Sequence, residues 1–325
     1  MENWCLNPDR SIGTSALMAM FNILVPIVLI TFIGFILGRM SIGLQSRTLS
    51  NLVILVATPA LVFHTNVSST VDGATISELS IAAFMSLAIA GTIAFLVLKL
   101  AGSSAQSFLP SLMFPNSGNL GLPLVVLTFG AIGTQLGVAY FIVIALVQHS
   151  IGLSIAAGSV RIRELVRQPL LYSVVLVLVV LMTDTQLPPV VMITTGMLGD
   201  MMIPAMLILL GTSLATLKVT DLLPALALAV ARLTIGVLTA LIVIYLLDLS
   251  GIAAGVVFIM ATMPSAIVTY VYAERYQQDP NRVAGAVVVS TILTFVCLPA
   301  LVWAALHVSG GSVAANAALS MVAMR

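Results

Sequence analysis

Apolar residues run almost unbroken along this chain. They lack the two-residue alternation of a half-buried strand and the single stripe of an amphipathic surface helix. Ten apolar segments follow one another, at roughly 15–38, 48–66, 77–98, 106–130, 133–158, 168–184, 196–216, 223–247, 251–275 and 283–307. A bilayer span takes about 20 mostly apolar residues, so each segment is read as a transmembrane helix. Barrel strands would be about ten residues long and alternate in polarity, and the longer continuous runs argue against them. The predicted organisation is an extracytoplasmic segment at 1–14, a five-helix unit at 15–158, a cytoplasmic linker at 159–167, a second five-helix unit at 168–307 and a flexible tail at 308–325. No cleavable leader is read, because the first apolar run is too long and is not preceded by a basic region. Met18 or Met20 is an alternative start.

Composition narrows the class. Hydrophobic residues make up 60% of the 325 and charged residues 7%, and the mean hydropathy is +1.19. Soluble domains carry about 25% charged residues, so a soluble enzyme, a nucleic-acid binder and a disordered chain are excluded. The bilayer is the surrounding partner, and a net charge of +1 points to no nucleic acid. Cys5 and Cys297 are too few for a disulfide framework and have no metal-ligand spacing. Cys297 is read as a small buried hydrophobe, and no metal site or cofactor is expected.

Charge is distributed unevenly among the joints. One set holds Arg39, Arg47, Lys99, Arg161, Arg163, Arg167, Lys218, Arg275 and Arg282. The other set holds Asp72, Glu78, Asp184 and Asp248, with only the terminal Arg10 and Arg325 as cations. The positive-inside rule therefore places both termini outside the cytoplasm, and a bacterial inner membrane is the simplest host.

Two proline landmarks recur at nearly one spacing. Thr58-Pro59-Ala60-Leu61 in the second segment answers Ile203-Pro204-Ala205-Met206 in the seventh, and Pro115 in the fourth answers Pro264 in the ninth. Two halves of five spans must enter the membrane with opposite polarity, so an inverted repeat is expected, a recurring plan of secondary transporters.

The strongest local signal is Pro115-Asn116-Ser117-Gly118-Asn119-Leu120-Gly121-Leu122-Pro123. Two prolines and two glycines in nine residues do not hold a regular helix, and backbone freed at that depth must be covered by protein or face a watery cavity. A helix resuming near Leu120 would offer N–H groups and a positive dipole end, with Asn116, Ser117 and Asn119 as neutral hydrogen-bonding groups. That set suits a carboxylate. The ninth segment has Pro264 and Ser265 without a glycine. Either it kinks there, or it breaks and a half-helix starting at Ser265 meets the first break from the opposite side, with Thr269 and Tyr270 lining its inner half.

On these residues the chain resembles the auxin efflux carrier family, in its bacterial branch. PNSGNLGLPL is similar to that family's broken-helix motif, while MPSAIVTYVYAERY with Val289-Ser290-Thr291-Ile292-Leu293 resembles its ninth and tenth spans. Pro59-Ala60-Leu61-Val62-Phe63 fits its second. The resemblance implies an all-α protein of ten transmembrane helices in two inverted five-helix repeats, with helices 4 and 9 broken and crossing. It also implies a scaffold and an elevator-like transport domain, and a substrate such as malonate, malate or an auxin-like acid. The substrate-binding positions it implies are Pro115, Asn116, Ser117, Gly118, Asn119, Pro264 and Ser265. The long cytoplasmic loop and the Asn-Pro-Asn order of the plant branch are missing, which argues against auxin itself.

Ionisable groups at depth are candidates for coupling. His149 either relays a proton or stays neutral and bonds a neighbouring helix. Arg232 either attracts the anion or holds a carbonyl, or else snorkels to the cytoplasmic interface, which is the reading favoured here. His64 and Asp200 are read as interfacial, and Glu274 and Arg275 as a solvated cytoplasmic end. The coupling ion is H+ or Na+; no midplane carboxylate pair decides between them. The function expected is secondary transport of a small organic anion, with a homodimer through the scaffold helices as an open arrangement. A channel or receptor using the same cavity is the alternative. An intramembrane enzyme, built on Ser117 and His149, lacks paired carboxylates or ligand spacing. No Walker-type loop is present to couple ATP.

Overall fold

The structure, a computed structural model, describes residues 8–40, 46–183 and 185–310. Cys5, Asp184, Arg325 and most of the tail lie outside them. The described chain is helical throughout: α1 (Pro8–Arg39), α2 (Ser46–Leu52), α3 (Thr58–Val67), α4 (Gly73–Leu100), α5 (Ala105–Met113), α6 (Leu122–Val147), α7 (Leu153–Ala157), α8 (Ile162–Val166), α9 (Pro169–Met182), α10 (Pro189–Asp200), α11 (Met202–Thr216), α12 (Leu222–Leu246), α13 (Gly251–Thr262), α14 (Ile267–Tyr276) and α15 (Pro280–Val308). Wide five-residue π turns join α2 to α3 at Val53–Ala57, precede α6 at Ser117–Gly121, and join α6 to α7 at Gln148–Gly152.

Among the described residues, seven helical stretches are long and apolar enough to cross a bilayer, and Pro169–Met182 and Gly251–Thr262 are shorter apolar helices. The protein is a polytopic α-helical membrane protein. The stretch 117–157 runs 41 residues, about twice what a bilayer core of roughly 30 Å requires at 1.5 Å per residue. It turns at Gly130, whose φ of 61° and ψ of −145° suit glycine. The sequence boundary between 106–130 and 133–158 falls there. At the N-terminus, helix already begins at Pro8, inside the segment 1–14 expected to precede the first span. The linker 159–167 contains a helical turn, α8.

Interruptions follow the prolines. The π turn at Val53–Ala57 ends just before Pro59. Helices α10 and α11 part at Met201, just before Pro204. A proline lacks the N–H that would bond back one turn, and its ring crowds the carbonyl there, so the preceding turn widens or breaks.

Helix pairs close through small residues. Helix α1 packs along α11, and a Cβ on Gly34 would collide with the Ile208 carbonyl oxygen, while one on Gly211 would collide with that of Thr31. Backbones this close gain dispersion contacts that bulkier residues would forbid. Helix α12 packs on α15, α4 on α6, and α13 on both α6 and α12. Phe114, Tyr140, Leu120, Leu122 and Leu124 are fully buried at the centre of this packing. Large apolar side chains such as Phe21, Phe32, Phe84 and Val296 are exposed on the outside, as expected of a lipid-facing surface.

Ion pairs link some of the joints that carry Arg. Arg275 lies 3.5 Å from Glu164, and Arg282 3.9 Å from Asp221. Elsewhere, the joint before α4 is tied down by Gln135, whose side-chain oxygen accepts from the N–H groups of Thr70 and Val71, each at 3.1 Å.

Candidate functional site

The two proline breaks meet. Helix α5 ends at Met113, and the last helical bond there runs from the Phe114 N–H to the Pro110 carbonyl at 3.0 Å. The chain is extended at Phe114 and turns helical again at Ser117. Helix α13 ends at Thr262, residues 263–266 are non-helical, and α14 starts at Ile267. The two extended pieces lie antiparallel at Pro115 and Ser265. The Asn116 N–H donates to the Pro264 carbonyl at 2.7 Å, and the Ala266 N–H donates to the Phe114 carbonyl at 3.1 Å. Backbone groups released by the breaks thus satisfy each other, as burial away from water demands. The ninth segment therefore breaks rather than kinks. Helix resumes at Ser117 and Ile267, earlier and later than the expected Leu120 and Ser265.

Other freed groups are also accounted for. The Ser265 hydroxyl donates to the Ser111 carbonyl at 2.8 Å, and the Ser265 N–H to the Ser290 hydroxyl at 3.2 Å. Thr269, also buried, donates to the Ala266 carbonyl at 2.6 Å. The Asn116 carbonyl accepts from the N–H groups of Leu120 and Gly121 at 3.3 and 3.2 Å, which is how the π turn starts.

A cavity of about 660 Å³ lies against this crossing. Pro115, Asn116, Gly118 and Asn119 line it from the first break, and Ala266, Ile267 and Tyr270 from the second. His149, Gln148 and Thr58 form further wall, and Arg47, Gln168 and Glu274, in or beside joints that carry Arg, line it too. Ser117, Pro264 and Ser265 do not line it. Ser117 and Ser265 are 2% and 1% exposed, and both N–H and hydroxyl of Ser265 are committed inside the fold.

Two buried amides stand out. Asn116 is 4% exposed and Gln148 7%, and among the described residues neither Asn116 Nδ2 nor Gln148 Nε2 has a hydrogen-bond partner. A buried donor left unpaired costs about 1–3 kcal/mol. Both residues border the cavity, although the two nitrogens themselves are covered, so a small side-chain rotation would be needed to turn them toward a ligand with acceptor oxygens. Gln148 is not among the substrate-binding positions expected from the sequence. Its approach to the crossing depends on how α6 ends, and no local motif marks that.

His149 follows on the same π turn. Its Nδ1 lies 2.8 Å from the Ala145 carbonyl, so Nδ1 carries the hydrogen and Nε2 is the other ring nitrogen. The ring meets that of Tyr272 edge-on, with centroids 6.4 Å apart. Tyr272 in turn donates to the Gln148 carbonyl at 3.2 Å.

Arg232 corrects an expectation. It does not snorkel: it is 1% exposed and donates to the Leu112 carbonyl at 3.3 Å and the Ala261 carbonyl at 2.8 Å. Snorkelling requires a path to the interface, and α4, α5, α13 and α15 all pack on α12 and close that path. It lies behind the crossing and does not line the large cavity. Of the remaining ionisable groups, Asp200 is exposed, and His64 is half-buried against Gly196 with its Nδ1 unpartnered. Glu274 is exposed and accepts from the Tyr270 hydroxyl at 2.8 Å. Cys297 is half-buried in α15 as a free thiol.

A family model described as membrane transport protein matches residues 19–159 and 153–303. No match to a curated protein is found. The matched residues take in both interrupted helices and the cavity between them, and the chain belongs to the membrane transport protein family, which includes auxin efflux carrier-like proteins.

Proposed function

We propose that the protein is a secondary carrier of a small organic anion, bound in the cavity at the crossing. The observation that carries this reading is that two residues of the cavity wall, Asn116 and Gln148, each hold a buried amide nitrogen with no partner among the described residues, one side-chain rotation from the cavity. Hydrogen bonds to a charged acceptor are worth about twice those between neutral groups. Two neutral amides therefore recognise a carboxylate without the cost of a buried cation. Arg47, near the exposed end of the same cavity, adds an attractive charge along the entry path.

Several features support carriage by alternating access. The chain reads as ten crossings in two inverted halves, with breaks at Pro115 and Pro264 and disrupted turns before Pro59 and Pro204. Discontinuous helices meeting at depth are how such transporters hold substrate. The cavity runs from the crossing to Arg47 and Glu274, at the end of the second and ninth segments that carries Arg. With that end cytoplasmic, both termini lie outside and this is an inward-facing state. The crossing unit slides as an elevator against the scaffold that includes α1 and α11, which also offers a homodimer surface. A bacterial inner membrane is the proposed host. Transport is driven by a proton gradient through His149, or by a sodium gradient with the Asn116 and Asn119 oxygens as ligands.

Uptake into proteoliposomes tests this. Labelled malonate, malate and indole-3-acetate are offered under an imposed proton or sodium gradient. Saturable uptake that supports counterflow is the expected result. Single-channel currents, or no flux of any of these anions with folded protein, would overturn it.

A further inference from the structure

The guanidinium of Arg232 sits where the two interrupted helices end. Leu112 and Ala261 each lie one residue before the last residue of α5 and α13. Their carbonyls belong to final turns, where helix dipoles leave partial negative charge. One nitrogen of Arg232 bonds each of them, at 3.3 and 2.8 Å. A cation at 1% exposure normally has an acid beside it, but no carboxylate lines the small chamber around Arg232. The two helix ends therefore take the place of a counter-ion.

Neighbouring residues fit that placement. Gly236, one turn further along α12, lets the helix approach α13 closely: a Cβ there would lie 2.6 Å from the Ala261 oxygen. That contact brings Arg232 within reach of the same carbonyl. On its other side, Arg232 Nε and the hydroxyls of Ser86, Tyr140 and Thr239 have no protein partner, around a space of about 10 Å³. This is room for about one water, which can complete the donors of the guanidinium. Pro115 forms part of that chamber's wall and also of the large cavity's, so only the crossing itself separates them.

We propose that Arg232 is a positioning residue: its fork clamps the C-terminal ends of both interrupted helices and thereby sets where the Asn116 amide sits in the cavity. This rests on the cavity being the substrate site. A lysine cannot replace it, because one ammonium on a flexible stem does not hold two carbonyls in a fixed plane as a guanidinium does. Releasing the ends loosens the two bonds across the crossing, from Asn116 to Pro264 and from Ala266 to Phe114.

The experiment compares R232Q, R232K and Y140F in uptake kinetics and in amide hydrogen exchange. For R232Q, KM rises about tenfold while kcat stays within about threefold, the pattern of lost ground-state positioning. Peptides containing Asn116 and Ala266 exchange faster, and those from α1 and α11 do not. R232K moves both readouts the same way by a smaller amount, and it carries the test if R232Q does not fold. Y140F, which leaves both carbonyl bonds in place, retains wild-type KM and exchange. Wild-type KM and crossing exchange in both Arg232 variants overturn the clamp, as does an equal change in Y140F. If the wild type carries none of the offered anions, the exchange result alone decides the clamp, so its failure is distinguishable from that of the transport reading.

Discussion

The two breaks in this protein solve one backbone problem with different chemistry. At the first, Pro115 is followed by four small or polar residues, and Asn116, Gly118 and Asn119 face the cavity. At the second, Pro264 is followed by Ser265, whose N–H and hydroxyl are both spent inside the fold on Ser290 and Ser111. Its contribution to the cavity comes after the break, from Ala266, Ile267 and Tyr270. The first break thus puts a residue with an unpaired donor on the cavity wall, and the second is the fastened support it lies against. A broken helix at depth is therefore not a binding site in itself. What matters is which released groups the fold leaves unpaired.

That contrast is open to direct attack. Asn116→Ala removes the unpaired donor and leaves the backbone bridge, since the bond to Pro264 uses the main chain. A hydrogen bond to a charged group is worth about 1.5–3 kcal/mol, so kcat/KM for the anion should fall about 10- to 100-fold, with normal yield and melting temperature. Normal uptake by this variant would remove Asn116 from the site. Gln148→Leu removes the second donor while keeping its volume. An increase of about tenfold in KM is expected, and the double variant should lose less than the product of the two, because both donors serve one ligand.

Ser265→Ala sharpens the other side of the comparison. The buried Ser111 carbonyl loses its donor, which costs about 1–3 kcal/mol, read as a lower melting temperature in detergent. KM should stay within about twofold of wild type. A large KM change without destabilisation would make the second break a substrate contact after all.

The smallest effect lies away from both breaks. Asp72 caps α4 and accepts from the Thr75 N–H at 2.6 Å. That bond holds its carboxyl below the ordinary value of 3.8. The stabilisation is therefore complete above 3.8 and is lost as pH falls below it toward the depressed folded value. Asp72→Asn keeps a cap without that titration. The wild type should lose melting temperature relative to this variant on acidification, and transport at neutral pH should match.

Much of this could be read from the chain. Residues 222–246 and 280–308 form helices within a few residues of the expected spans 223–247 and 283–307, because uninterrupted apolar length and a flanking Asp221 or Pro280 are local signals. Pro115 marked the first break for the same reason: a missing N–H acts at its own position. The second break lacked a glycine and left two outcomes open. It became a break because Phe114 and Asn116 supply the partners that Ala266 and Pro264 need, and those partners are about 150 residues away in sequence. Arg232 was misjudged because depth along a helix does not say which neighbours close over the side chain.

What the sequence by itself determined is the class of protein, the approximate extent of its long apolar helices and the first position where a helix cannot continue. These follow from hydropathy, charge placement and proline geometry, which act within one segment. Only the tertiary structure decided which of the released or polar groups are paired. Ser265 and Ser111, Asn116 and Pro264, and Arg232 with two helix ends are long-range partners. Whether a buried polar group is satisfied depends on its neighbours in space, and that pairing decides which groups, Asn116 and Gln148 among them, are left facing the cavity.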